Sequence, residues 1–127
     1  MKLCYYQIGV VTKVLDELIT RDDLNGKLIV KLRAGLLKAR DANKPIQEIT
    51  DGWLKKIKEN QDAQADSALK EVVAKEMIDK ANLEIGEASK QETEINFDPI
   101  KIDDIMEGRK IPGDKIAVLM DAGLVVE

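Results

Sequence analysis

Residues 24–42, with the sequence LNGKLIVKLRAGLLKARDA, decide the fold that we expect for this chain. Large aliphatic residues recur there at Leu28, Leu32 and Leu36, and Ala39 continues the series. This spacing of three or four residues places them on one face of an α-helix. The segment therefore predicts a helix from about residue 24 to residue 42 that packs by this face, widened by Leu37, on a neighbouring helix.

The other face of this predicted helix is basic. Within residues 27–42 a single acidic residue, Asp41, opposes the cations Lys27, Lys31, Arg33, Lys38 and Arg40. A cationic helix face attracts acidic proteins or phosphate groups. We therefore expect Lys31, Arg33, Lys38 and Arg40 to contact an acidic partner.

The neighbouring helix is predicted at residues 3–20. Apolar residues recur there with helical spacing, and Cys4 falls on the inward stripe with Ile8, Val11, Leu15 and Leu18. Turn-forming residues follow, and Thr20 with Asp23 suggests a capping box for the second helix. The two segments predict a helical hairpin.

Two more helices are expected in the middle of the chain. Pro45 suits the first turn of a third helix, which we expect to end near Glu59 and to be followed by a loop over residues 59–66. Ser67 is a plausible N-cap for a fourth helix that reaches about residue 83, with Val72 and Ile78 among its inward residues.

The last third of the chain is expected to contain short pieces. Residues 86–93 are polar and look irregular, residues 95–102 alternate as in extended chain, and a short helix over residues 103–107 stops at Gly108. We expect Asp114 to cap a final helix. Gly123, in the left-handed conformation, is expected to end that helix.

Taken together, these elements predict a mainly α fold: a helical hairpin, two further helices, and a small irregular C-terminal subdomain with room for a short strand. We expect residues 1–85 to form a helical bundle and residues 86–127 to pack on it.

Composition and charge favour a protein that works in a reducing compartment. The chain has one cysteine, no stretch of about 18 apolar residues that could span a membrane, and an N-terminus without the apolar core of a signal peptide. We therefore expect a cytoplasmic protein.

Residues 1–60 carry 12 basic and 8 acidic residues, whereas residues 61–127 carry 8 and 16, so the net charge of −4 hides a strong asymmetry. Such asymmetry favours an oriented encounter with a partner or self-association into an oligomer.

Residues that carry chemistry are scarce. The absence of histidine removes the commonest general base and neutral metal ligand. Gly108 and Gly113 are spaced as in a phosphate-binding loop, but Asp114 occupies the position of the phosphate-binding lysine and would repel phosphate. We therefore expect no enzyme activity and no cofactor.

An acidic cluster contains Asp103, Asp104 and Glu107, with Asp98 nearby in sequence. Its spacing matches no calcium-binding loop, so we expect no metal. These carboxylates are instead expected to contact a basic partner.

The order of features resembles small uncharacterised proteins of tailed phages and prophages of Gram-positive bacteria. The resemblance rests on the LNGKL sequence at residues 24–28, the extended INFDPIKI at residues 95–102, and the Asp-Asp-Ile that follows. It implies a role in virion assembly or in host-directed binding, and it implies no catalytic residues.

We therefore expect a non-catalytic phage-related protein that binds another protein, as a virion assembly or structural component. One alternative is a host-directed inhibitor whose acidic surface mimics nucleic acid or blocks a host enzyme. Another is a nucleic-acid-binding accessory protein, although the overall acidity and the lack of aromatic residues among the basic ones disfavour it.

Overall fold

The computed structural model describes residues 1–63 and 67–127, and it confirms the mainly α class. Helices account for 70% of the chain, and the described part contains six helices and four short strands. Two compact units are present. Unit 1 comprises Met1–Asn43 and Glu92–Glu127, and unit 2 comprises Lys44–Gln91.

This grouping differs from the expected division after residue 85. The first strand, β1 (Lys2–Cys4), pairs with β2 (Glu92–Glu94), which ties the last third of the chain to its beginning. Local sequence patterns carry no signal for a pairing between residues so far apart in the chain.

The predicted hairpin is the centre of unit 1. It consists of α1 (Tyr5–Ile19) and α2 (Gly26–Ala42), which contact each other extensively. The predicted inward residues of both helices are confirmed as buried, except Cys4 and Leu37. The buried residues are Ile8, Val11, Leu15, Leu18, Leu28, Leu32, Leu36 and Ala39.

Two local expectations for this hairpin are wrong. Cys4 lies in β1 and precedes α1, so it is half-buried and not part of the inward stripe. The cap of α2 is Asn25, whose side-chain oxygen accepts a hydrogen bond of 2.8 Å from the Leu28 amide. Thr20 instead ends α1, and Asp23 pairs with Arg21 at 2.8 Å.

The alternating residues after β2 enter the core as predicted. Ile95, Phe97 and Ile100 are buried, and Ile100 belongs to β3 (Ile100–Lys101). β3 pairs in parallel with β4 (Val125–Val126). The extended stretch ends one residue before expected, because Ile102 already belongs to the short helix α5 (Ile102–Met106).

The final helix is α6 (Gly113–Asp121), which contacts α1. Its N-cap is Pro112 and no side chain caps it, so the predicted Asp114 cap is wrong; Asp114 lies in the first turn. Its other end is as predicted: Gly123 has a φ of 77°, its amide bonds to the Met120 carbonyl at 3.0 Å, and the Leu124 amide bonds to the Leu119 carbonyl at 3.0 Å. This pair of bonds is a Schellman motif.

Unit 2 is a hairpin of two helices that are longer than predicted. They are α3 (Lys44–Ala63) and α4 (Ser67–Ser89). The loop expected over residues 59–66 is wrong for residues 59–63, which are helical. Residues 64–66 and the side chain of Ser67, the predicted cap, lie outside what the structure describes. Residues 86–89, expected to be irregular, continue α4, because nothing in that polar segment forbids a helix.

The packing between α3 and α4 fully buries few side chains in the described part of unit 2. Ala74 and Ala81 are buried, and Trp53 is half-buried. Val72 and Ile78, expected to face inward, are 55% and 45% exposed. The apolar residues of α4 therefore extend around more of the helix than packing against α3 covers.

Candidate protein-binding surface

The outer face of α2 carries an apolar stripe that no described part of unit 1 covers. Val30 is 69% exposed and Leu37 is 62% exposed, and Ala34 between them is also exposed. The residues that α2 buries, such as Leu32 and Ala39, lie on the opposite side of the helix. Val30, Ala34 and Leu37 are four and three residues apart, which aligns them along one side of a helix. We call these three residues the outer stripe.

Sequence periodicity does not reveal the outer stripe, because the buried residues of α2 dominate the periodicity of this helix. Leu37 was assigned to the inward face, but it lies five positions after Leu32, which corresponds to a rotation of about 140° from Leu32. The available signal was the seven-residue interval between Val30 and Leu37, with a small residue between them.

The predicted cations border the outer stripe on both sides. At about 100° per residue, Arg33 and Arg40 fall along one edge and Lys31 and Lys38 fall along the other. All four side chains are exposed. The basic face that the sequence predicts is therefore two cationic edges with an apolar strip between them.

Two of these cations already have partners. Arg40 Nη2 lies 2.8 Å from Asp16 Oδ1 on α1, and both side chains are about half exposed. Lys38 Nζ donates a hydrogen bond of 2.7 Å to the Asn96 carbonyl oxygen. Exposed contacts of this kind contribute about 0–1 kcal/mol, so a competing carboxylate can replace them at small cost.

A shallow cleft of about 190 Å³ lies beside the arginine edge. It is lined by Ile19 and Thr20 at the end of α1 and by Arg33, Leu37 and Arg40 of α2, together with Asp16 and Leu36. The cleft gives an incoming side chain an apolar floor with guanidinium groups at its border.

The acidic cluster contributes to a different cleft. Asp103 and Asp104 lie in the first turn of α5, and Glu107 follows the helix. Asp104 and Glu107 line a cleft of about 220 Å³ with Lys27 and Lys31 of α2. The sequence predicts separate acidic and basic surfaces, whereas the structure brings part of each set together.

This mixed cleft shows no organised metal site. Within residues 1–63 and 67–127, no three potential metal-ligating side chains are grouped closely enough to hold an ion. Arg109 binds backbone carbonyl oxygens beside this cleft. Its Nη1 donates to the carbonyls of Ile105 at 2.9 Å and Asp104 at 3.2 Å, both in α5. Its Nε donates to the carbonyl of Asp23 at 2.6 Å.

Ion pairs lower the pKa values of carboxyl groups in unit 1. A hydrogen bond and the charge of Lys115, whose Nζ lies 2.7 Å from Glu17 Oε2, lower the pKa of Glu17. A hydrogen bond from Arg21 likewise lowers the pKa of Asp23. Both pairs stabilise the fold of unit 1, and neither lies beside a nucleophile.

Unit 2 also exposes large aliphatic side chains. Leu54 on α3 is 60% exposed, and Val72 and Leu83 on α4 are 55% and 65% exposed. A polar contact between described residues joins these helices: Trp53 Nε1 donates to Glu84 Oε2 at 2.5 Å. Lys56 Nζ lies 4.7 Å from the centre of the Trp53 ring.

None of the described helices is both long enough and apolar enough to cross a membrane. Comparison of the chain with protein-family models, with curated proteins and with solved structures found no match.

Proposed function

We propose that this protein works by binding another protein and not by catalysis. The observation that supports this most directly is the exposure of large aliphatic side chains on helices of both units. Leu37, Leu54 and Leu83 are each at least 60% exposed. Single exposed apolar residues are ordinary, but residues aligned along a helix and bordered by charges are typical of interaction surfaces.

The small number of fully buried side chains in the described part of unit 2 supports the same proposal. A hairpin of two helices buries one face of each helix, and in its described part alanines are the residues that become fully buried. A partner that covers the outer faces of α3 or α4 would add the apolar burial that this unit lacks.

We further propose that the setting is phage-related and that the protein is a component of virion assembly, working in the host cytoplasm or within the particle. The resemblance in layout to tailed-phage proteins supports this, as does the charge asymmetry between residues 1–60 and 61–127. Assembly proteins must recognise neighbours in a fixed orientation, and separated charges of opposite sign provide such orientation.

The experiment is affinity purification of the tagged chain from cells in which it is naturally expressed, followed by sedimentation of the purified material. We expect a complex of defined stoichiometry that contains structural proteins of the particle. A variant with Leu37, Leu54 and Leu83 all replaced by serine should keep its helical circular dichroism and lose this complex.

Two results would contradict the assembly proposal. A monomer bound to one host enzyme would support the inhibitor alternative. Turnover of a small molecule by the purified protein, abolished by Asp103→Ala, would contradict a binding function altogether.

A further inference from the structure

We propose that the outer stripe of α2 binds one amphipathic helix of an acidic protein, in the manner of a short coiled coil. The partner helix would present apolar residues toward the stripe and Glu or Asp residues along both of its edges. This inference rests on the proposed protein-binding function and assigns it to one helix and one class of partner.

The stripe has the register of a coiled-coil seam. In a heptad, the seam positions a and d are separated alternately by three and four residues. Val30, Ala34 and Leu37 occupy successive d, a and d positions, and all three are exposed. The residues that α2 buries in unit 1, such as Leu32 and Ala39, occupy position f, so the helix uses one side for its own fold and leaves the seam uncovered.

The predicted cations occupy the two positions that select coiled-coil partners. In the same register, Lys31 and Lys38 are at e, while Arg33 and Arg40 are at g. Residues at e and g form the salt bridges across a coiled coil that set partner choice and orientation. Since both edges are cationic, a partner needs acidic residues at both e and g, whether it runs parallel or antiparallel to α2.

The same charges argue against pairing of two copies through this face. Two α2 helices placed seam to seam would bring the lysines and arginines of one copy against those of the other, and like charges at these positions are destabilising. The occupant that fits is therefore a different, acidic helix.

The ends of the seam limit its length. Lys27 precedes the stripe at an a position and Asp41 follows it at the next a position, so charged residues close it at both ends. The apolar part, from Val30 to Leu37, covers just over one heptad, and the cleft beside Arg33 and Leu37 offers space for one larger side chain at the edge. Such a short seam depends strongly on its edge charges, so binding should weaken as salt is raised.

The test measures binding of the full-length protein to a labelled three-heptad peptide with leucine at a and d and glutamate at e and g. Glutamate at both edges keeps this peptide from pairing with itself. The control peptide carries lysine at e and g. We expect the glutamate peptide to bind in a salt-dependent manner and the lysine peptide not to bind.

Variants locate the site. Leu37→Ser and the double variant Arg33→Glu/Arg40→Glu should each weaken binding at least about tenfold, which corresponds to about 1.4 kcal/mol. The matched controls are Tyr6→Ser, which removes a similarly exposed large side chain from α1, and Lys110→Glu, which reverses an exposed cation outside α2. Both controls should bind the glutamate peptide like the unmodified protein.

Several outcomes would overturn this inference. These are a glutamate peptide that fails to bind, equal loss of binding in Leu37→Ser and Tyr6→Ser, self-association through α2 that Leu37→Ser abolishes, or binding of a DNA duplex in place of the peptide through the same arginines. In each of these outcomes the complex purified from cells can still form, so the proposed function is judged separately by whether that complex exists.

Discussion

At the scale of single residues, Gly35 marks a close packing contact of α2. A Cβ added at this position would lie 3.1 Å from Leu124 Cδ1 and 3.8 Å from Leu15 Cδ1, both in buried side chains. The absence of a side chain at Gly35 leaves room for the Leu124 side chain.

Replacing Gly35 with valine should therefore destabilise unit 1 by about 1–3 kcal/mol, because the added carbons overpack the contact with Leu124. Urea unfolding followed by circular dichroism would measure this. The control is Gly9→Ala in α1, where the new Cβ meets nothing within 4 Å and the helix should gain about 0.5–1 kcal/mol. Equal stability of Gly35→Val and the unmodified protein would mean that Leu124 does not fill this space.

The Schellman motif after α6 makes a second prediction. Gly123 has a φ of 77°, which a side chain disfavours by roughly 1–2 kcal/mol. Gly123→Ala should lower the unfolding free energy by about this amount, and Gly123→Asn should cost less because asparagine tolerates this conformation. Gly108, with a φ of 68° and nothing within 4 Å of an added Cβ, is the matched position, and Gly108→Ala should cost a similar amount. A large loss at Gly123 with none at Gly108 would assign the cost to packing and not to the backbone.

At the scale of elements, an ion pair joins two helices of unit 1. Lys115 on α6 lowers the pKa of Glu17 on α1. A carboxyl with a lowered pKa in the folded state binds protons more weakly there than in the unfolded state, so its contribution is present above the unfolded value near 4 and is lost as the pH falls through the folded value.

We therefore expect the stability of the protein to be nearly constant between about pH 6 and 8, since the chain has no histidine to titrate there, and to fall below about pH 5. Glu17→Gln should reduce the acid slope in urea unfolding at a series of pH values. Asp22→Asn is the control, because Asp22 makes no ion pair among the described residues. An acid slope that is the same in both variants would show that the Glu17 pair contributes little.

The elements that the sequence predicts well are those whose structure depends on local spacing. The inward faces of α1 and α2, the buried Ile95 and Phe97, and the glycine after α6 all follow from periodicity or from one special conformation. Element ends were predicted less well, because polar segments such as residues 59–63 and 86–89 can be loop or helix with little difference in propensity.

The candidate surface was predicted in part. The cations of α2 were identified from the sequence, but the outer stripe between them was not, since deciding which side of α2 is buried requires knowing what packs against it. The joint cleft of Lys31 and Asp104 could not be predicted either, because it depends on contacts between residues distant in the chain.

At the scale of the whole molecule, the two units have cores of different depth. Unit 1 has a large cluster of buried aliphatic residues with Phe97, whereas the described part of unit 2 buries two alanines completely. Fewer buried apolar contacts mean that a region opens at a lower free energy. We therefore expect α3 and α4 to exchange amide hydrogens faster than α1 and α2 in hydrogen-exchange mass spectrometry.

The one tryptophan of the chain, Trp53, lies in unit 2 and reports on it selectively. Tryptophan fluorescence should change at a lower urea concentration than most of the circular dichroism. Leu36→Ala, which removes part of the unit 1 core at a cost of about 2–5 kcal/mol, should shift the later transition and leave the fluorescence midpoint unchanged. Ile57→Ala, which removes part of a half-buried side chain of α3, should do the reverse. A single transition seen by both methods and shifted by both variants would show that the units unfold together.

In the sequence, unit 2 lies between the two parts of unit 1, and this order has a consequence for biosynthesis. A growing chain exposes α1 and α2 long before the ribosome has made β2, α6 and Leu124, which complete their core. The contacts of α3 with α4 are closer in sequence than the contacts of α1 and α2 with β2 and α6. They can therefore form while the N-terminal hairpin still presents an uncovered apolar face. Stalled or truncated nascent chains that lack the last 36 residues should therefore be the form that chaperones bind and proteases remove.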